Sequence, residues 1–143
     1  MKIAELASAM DIEKPVDDIN IKDIVYDSRQ TRPGSLFVAI PGTQVDGHKF
    51  IDQALDKGAV AAVVERARPD LAGSLAQIEV PNARKALAQV SDIFFGQPSR
   101  KLRLVGVTGT NGKTTIAYLM ESIFKHAGFK TGLIGTIEYK IDN

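Results

Sequence analysis

The sequence predicts an α/β protein in which strands alternate with helices. Three observations carry that prediction. The runs at 36–40 (LFVAI), 59–65 (AVAAVVE) and 102–107 (LRLVGV) are short and mostly apolar, as in strands of a sheet covered on both faces. Between them, apolar residues recur at helical spacing. A glycine-bearing turn, TGTNGKTT at 108–115, joins the last of these runs to a helix.

Each element has a local reason. Ile3, Leu6, Ala7 and Met10 fall on one face of a helix over 3–10. DIVYDSR at 23–29 begins with β-branched character and turns polar. TRPGS at 31–35 holds Pro33-Gly34, a turn signal, and leads into the strand at 36–40. PGTQVDGHK at 41–49 is a polar, glycine-bearing loop. Phe50, Ile51, Ala54 and Leu55 then predict a helix that Gly58 ends. After the strand at 59–65 and a loop comes a short strand, QIEV at 77–80. Asn82 is a helix N-cap, and Ala83, Ala86, Leu87, Val90, Ile93 and Phe94 form that helix's apolar face.

GQPSRK at 96–101 has linker composition. It divides the chain into a first domain, 1–97, and the start of a second, 98–143. The second piece reads strand (102–107), helix with Ile116, Leu119, Met120, Ile123, Phe124 and Ala127 on one face, stop at Gly128, strand (131–137). One β-α-β unit leaves sheet edges open and one face bare, and at that size it lacks the staples small domains need. The chain is therefore expected to be the N-terminal part of something longer. The alternative is a small protein that covers its open edges by oligomerising.

Composition narrows the function classes. The 143 residues include no cysteine, which excludes disulfide scaffolds, thiolate metal sites and cysteine nucleophiles. Lys plus Arg is 18 and Asp plus Glu is 17. This balance gives no reason to expect a nucleic acid or an anionic membrane as partner. No run of about 18 apolar residues is present, and the N-terminus lacks the basic start and unbroken apolar stretch of a signal peptide. A cytoplasmic protein is expected.

The strongest chemical signal is strand–TGTNGKTT–helix. A phosphate-binding loop needs successive backbone N–H groups turned inward, which Gly109 and Gly112 allow, and a helix N-terminus adds further donors. Lys113 is placed to reach β- and γ-phosphate oxygens, Thr114 to ligate Mg²⁺, and Thr115 to bond phosphate less directly. The general pattern asks for glycine where Val107 stands, and no acid after a third strand supplies a second metal contact. The other reading of these residues is a structural strand–helix turn.

A second cluster comprises Asp27, Ser28, Thr43, Gln44, Asp46 and His48, in loops expected at the C-terminal ends of two strands. Such ends line the ligand crevice of open α/β sheets. Hydroxyl, amide and glycine N–H groups suit a base, ribose or diphosphate, but Asp and Ser also cap helices and close turns, so spacing leaves both readings open. Asp17-Asp18 reads as a loop or cap. Glu5, Glu13 and Lys14 read as solvated charges, and His126 as a cation at a helix C-terminus.

VGVTGTNGKTT resembles the ATP-binding loop of the Mur ligases, the amide-forming enzymes of peptidoglycan synthesis. That family's variant loop accounts for Val107 and Asn111. YDSR followed by PGSLFVAIPGTQVDGHKFIDQALDKGAVAAVVE resembles the N-terminal, UDP-binding domain shared by the members that add the third residue and the terminal dipeptide. Thr110 and LIGTIEYKI at 133–141 lean toward the third-residue branch. The resemblance implies an α/β UDP-substrate-binding domain followed by the first β-α-β unit of a P-loop ATPase domain. It implies a ligase that uses ATP and Mg²⁺ to add a diamino acid, L-lysine or meso-diaminopimelate, to UDP-N-acetylmuramoyl-L-alanyl-D-glutamate through an acyl phosphate. A monomer is expected for the whole enzyme. The alternatives are the branch that adds D-alanyl-D-alanine and a non-catalytic nucleotide-binding module.

Transferred residue by residue, the ATP loop is Gly109, Thr110, Asn111, Gly112, Lys113, Thr114 and Thr115, with Lys113 stabilising the phosphoryl group and Thr114 holding Mg²⁺. The UDP-substrate contacts are Ser28 foremost, with Asp27, Arg29, Thr43, Gln44, Asp46, Gly47 and His48. The family's metal-binding acid and histidine, its carbamylated lysine and its amino-acid-selecting domain have no counterpart in these residues, so the 143-residue chain alone is expected to be inactive.

Overall fold

A computed structural model describes residues 1–12 and 19–141. Glu13, Lys14 and Asp17-Asp18 lie outside the described residues. The chain divides into two compact units, Met1–Leu102 and Arg103–Asn143.

In the first unit, β1 (Asp23–Val25), β2 (Ser35–Val38), β3 (Ala59–Val64) and β4 (Ala76–Glu79) form an all-parallel sheet in sequential order. Side chains alternate across a strand, and here both faces are covered. Leu36, Val38, Ala61, Val63, Ile78 and Val80 pack beneath α1 (Ile3–Ala9) and α3 (Ala83–Phe94), which contribute Ile3, Leu6, Ala7, Ala83, Ala86 and Val90. Phe37, Ala39, Ala62 and Val64 face the other way, against Ile51 and Ala54 of α2 (Ile51–Asp56) and against Leu71 and Leu75. Every residue of β2 is buried, which is why Leu36, Phe37 and Val38 run apolar without alternation.

The expected caps and stops hold. Asn82 Oδ1 accepts the Lys85 N–H at 2.8 Å, and Gly58 closes α2 in a left-handed conformation at φ +94°. The linker-like segment 96–101 is ordered into a short 3-10 turn, Pro98–Lys101.

The second unit holds α4 (Lys113–His126) and an antiparallel pair, β5 (Gly132–Ile134) with β6 (Tyr139–Ile141). The end of α4 is chemically specified. The Gly128 N–H bonds Lys125 O and the Phe129 N–H bonds Phe124 O, both at 3.0 Å. This is the glycine-capped Schellman arrangement, and its usual hydrophobic contact is the edge-to-face pair Phe124–Phe129. Glu121, buried at 8% exposure, pairs with Lys125 at 3.0 Å and Lys140 at 3.6 Å, fastening the helix to β6. Those ammonium groups, Lys125 first, hold its carboxyl below the usual range.

Two expectations fail at element level. Residues 102–107 form no strand, and Leu102, Leu104 and Val105 are 57–70% exposed. A strand is defined by a ladder partner, and among the described residues this run has none. The run 131–137 is not one strand: it breaks at Gly135, whose N–H bonds Glu138 O, and the chain reverses into β6. The apolar face expected on α4 is not the covered one: Ile116, Leu119 and Ile123 stand 48–65% exposed, whereas Glu121 is the buried residue of the helix among those described.

Candidate functional site

Parallel strands present their C-terminal ends along one edge of a sheet. Val25 of β1 lies opposite Phe37 of β2, so the segments after these strands leave the same edge side by side. The first forms a 3-10 turn, Ser28–Gln30, capped by Asp27. Asp27 Oδ1 accepts the Arg29 backbone N–H at 3.0 Å, and its carboxylate also takes the guanidinium, Nη2 to Oδ2 at 2.8 Å. The guanidinium hydrogen bond is the main reason the Asp27 carboxyl is held down at about 2. Ser28 is 6% exposed, and its hydroxyl donates to Gln53 Oε1 on α2 at 2.6 Å. Lys57, just past α2, donates to Arg29 O at 3.1 Å.

The second segment is a closed loop. The Gly42 N–H bonds Val45 O at 3.0 Å, and Pro41 bridges Asp46. Thr43 and Gln44 form its exposed tip, and their side chains make no hydrogen bond among the described residues. Asp46 caps the 3-10 turn Gly47–Phe50. Its Oδ1 accepts from the His48 N–H at 3.0 Å and lies 2.7 Å from His48 Nδ1, while Arg66 reaches Oδ2 at 3.0 Å. These contacts, the His48 backbone N–H first and its ring second, lower the Asp46 carboxyl. His48 Nε2 accepts the Glu65 N–H at 3.1 Å. The Gly47 N–H, expected to face a ligand, bonds Ile40 O at 2.9 Å.

The structure thus brings Asp27, Ser28 and Arg29 to the same sheet edge as Thr43, Gln44, Asp46, Gly47 and His48. It splits them into exposed groups (Arg29, Thr43, Gln44), a buried hydroxyl (Ser28), and groups bonded within the protein (Asp27, Asp46, Gly47, His48). Gln53, Lys57, Glu65 and Arg66 support the cluster and escaped sequence reading. They lie 25 to 28 positions from Ser28 and Arg29 and 17 to 20 from His48 and Asp46, so no local spacing rule marks them.

The glycine-bearing turn of the second unit leaves a run of backbone donors open. Gly109 (φ +146°) and Gly112 (φ +75°) adopt conformations closed to most residues. The backbone N–H groups of residues 109–115 donate to no acceptor among the described residues. They include the free first turn of α4, whose dipole is positive at that end. Lys113 folds back over the loop, with Nζ 2.5 Å from Gly109 O and 3.3 Å from Thr110 O. Asn111 and Thr115 are exposed and Thr114 is half-buried. Unpaired donors plus one ammonium fit a polyphosphate. Among the described residues no three His, Cys, Asp or Glu side chains come together to hold a metal. No described helix is long and apolar enough to cross a membrane.

Comparison with known proteins adds the following. A family model described as "Mur ligase family, catalytic domain" matches residues 20–95, and one described as "Mur ligase middle domain" matches 107–143. The UDP-N-acetylmuramoyl-L-alanyl-D-glutamate–2,6-diaminopimelate ligase of Alkaliphilus metalliredigens is 46% identical over 100% of this chain and 29% of its own length. The chain therefore spans under a third of such relatives. A MurF ligase from Thermotoga maritima, solved in complex with ADP, shares 32% identity with a TM-score of 0.56, over 77% of this chain and 25% of that one. A UDP-N-acetylmuramoyl-L-alanyl-D-glutamate–2,6-diaminopimelate ligase structure shares the fold, with a TM-score of 0.74 at 24% identity, over 95% of this chain and 28% of that one.

Proposed function

The chain belongs to the Mur ligase family, and on that premise we propose that it is the N-terminal part of an ATP-dependent ligase that joins 2,6-diaminopimelate to UDP-N-acetylmuramoyl-L-alanyl-D-glutamate in the cytoplasm. The observation that carries this reading is the loop at 109–115, with its unpaired N–H groups and Lys113 folded over them. The choice of diamino acid draws on the name of the Alkaliphilus relative, 46% identical along this whole chain.

In the reaction, the D-glutamyl carboxylate attacks the γ-phosphate of ATP to give an acyl phosphate and ADP, and the diamino-acid amine then attacks the acyl carbon, forming the amide and expelling inorganic phosphate. This chain's contribution is binding and charge stabilisation. The N–H groups from Gly109 to Thr115 and the Lys113 ammonium neutralise phosphate oxygens in a geometry fixed beforehand. The Thr114 hydroxyl is the group that would hold Mg²⁺. The first domain, residues 1–97, holds the UDP end of the substrate along the sheet edge. There Ser28, Thr43 and Gln44 make the contacts, Arg29 supplies charge, and Asp27, Asp46, Gly47 and His48 shape the loops.

Calorimetric titration of the chain with UDP-N-acetylmuramoyl-L-alanyl-D-glutamate, and separately with Mg-ATP, tests both sites. The expected results are heat from the UDP compound that Ser28→Ala removes, and ATP binding that Ser28→Ala leaves unchanged. A folded chain that takes up neither ligand would sink the reading. The 143 residues alone are expected to form no amide product, and ligase turnover by them would contradict the assignment.

A further inference from the structure

We propose that His48 is a positioning residue that locks the loop bearing Thr43 and Gln44 to the end of β3, and does not itself touch the substrate. The inference rests on the reading that this sheet edge binds the UDP compound. It rests equally on geometry independent of any ligand. The His48 side chain is only 11% exposed. Its Nε2 receives the Glu65 backbone N–H at 3.1 Å. A nitrogen that accepts carries no proton, so the proton belongs on Nδ1, where Asp46 Oδ1 waits at 2.7 Å. Both ring nitrogens are then spent inside the protein.

The consequence is a polar chain across two strand ends and a helix start. Asp46 holds the loop after β2 and is itself held by Arg66. His48 joins that loop to Glu65, the residue after β3. The Glu65 carboxylate in turn accepts the Ala83 N–H at 2.8 Å, at the start of α3. Thr43 and Gln44 sit at the tip of the loop so anchored. Without the imidazole, nothing among the described residues bonds the loop's polar side to β3 except the exposed Arg66–Asp46 pair.

The test has two readouts. Long-range proton–nitrogen correlation spectra of the 143-residue chain should show His48 as the Nδ1–H tautomer, with a slowly exchanging Glu65 N–H, and saturation with the UDP compound should leave that tautomer in place. Calorimetry should show His48→Ala weakening the UDP compound by about tenfold, the scale of one or two lost hydrogen bonds. Asp46→Ala should cost about as much, and the double variant little more than either alone, since the two residues act as one unit. His48→Asn, whose amide can still donate to Asp46, should recover part of the loss, and this variant also serves if His48→Ala fails to fold. An Nε2–H tautomer, a fast-exchanging Glu65 N–H, a tautomer change on ligand addition, or unchanged affinity in His48→Ala overturns the proposal. Failure of the unaltered chain to bind the UDP compound strikes the functional reading instead, and the free-chain spectra still decide the lock.

Discussion

Replacing Gly47 with alanine isolates a purely steric demand in the middle of the candidate substrate loop. A β-carbon built there lies 2.6 Å from Ile40 O, 2.7 Å from Ile40 N and 3.2 Å from Ala39 C. All three atoms are backbone just past the buried strand β2, so no side-chain rotation relieves the clash. The loop must move by most of an ångström to reach ordinary contact. That movement stretches the Gly47 N–H bond to Ile40 O, now 2.9 Å. Overpacking of this kind costs about 1–3 kcal/mol, and a weakened, partly buried hydrogen bond adds about 0.5–1.5 kcal/mol. The sum is about 2–4 kcal/mol, or roughly 10–25 °C in melting temperature for a unit of this size. Gly73 is the control: its φ is +88° but nothing lies within 4 Å of a built β-carbon, so alanine there pays only the left-handed penalty of about 1 kcal/mol. Thermal unfolding followed by circular dichroism ranks the three proteins. A Gly47→Ala melting temperature at or above that of Gly73→Ala would refute the close-approach argument. Glycine at 47 would then have to be explained by ligand access.

Further outcomes follow from the same geometry. In the complete enzyme, Lys113→Ala should abolish turnover while leaving affinity for the UDP compound within about twofold, because the two sites bind different molecules; equal loss of both contradicts the two-site reading. Asn82→Ala should destabilise the chain by about 1 kcal/mol through loss of its cap on α3, read from urea unfolding. The Asp27 carboxyl, depressed to about 2 by Arg29, supports the fold above its unfolded pKa of 3.8, and this support is lost as pH falls from there toward 2. Arg29→Ala should return its titration, followed by carboxyl carbon shifts, toward 3.8, and a midpoint unmoved by that change would show that the pair is not the cause.

Much of the first unit is legible from local rules. The apolar runs at 36–40 and 59–64 supply β2 and β3 because both faces of the sheet are covered, so no alternation with polar residues survives. Asn82 caps α3 and Gly128 ends α4 because a cap is a contact between near neighbours, visible within a few positions. The run 102–107 has the same apolar character and forms no strand. Composition states a preference, whereas a strand exists only when another strand supplies its hydrogen bonds. The reversal at Gly135 that turns β5 back into β6 was likewise hidden inside one apparent strand.

The candidate site divides along the same line. The glycine positions and the lysine of TGTNGKTT are specified by sequence, since a loop that offers its own N–H groups needs only a few consecutive residues to do so. The loop residues 41–48 were legible as polar groups at a strand end, but their roles were not. Whether Asp46 and His48 face a ligand or each other depends on Glu65 and Arg66, and whether Ser28 is exposed depends on Gln53. Sequence by itself therefore determined the α/β class, the helix caps and the phosphate-loop signature, because each is encoded within one or two turns of chain. Tertiary structure alone decided which polar groups are spent on internal hydrogen bonds and which stay free, because a hydrogen bond between distant residues exists only once the fold has brought donor and acceptor to within about 3 Å.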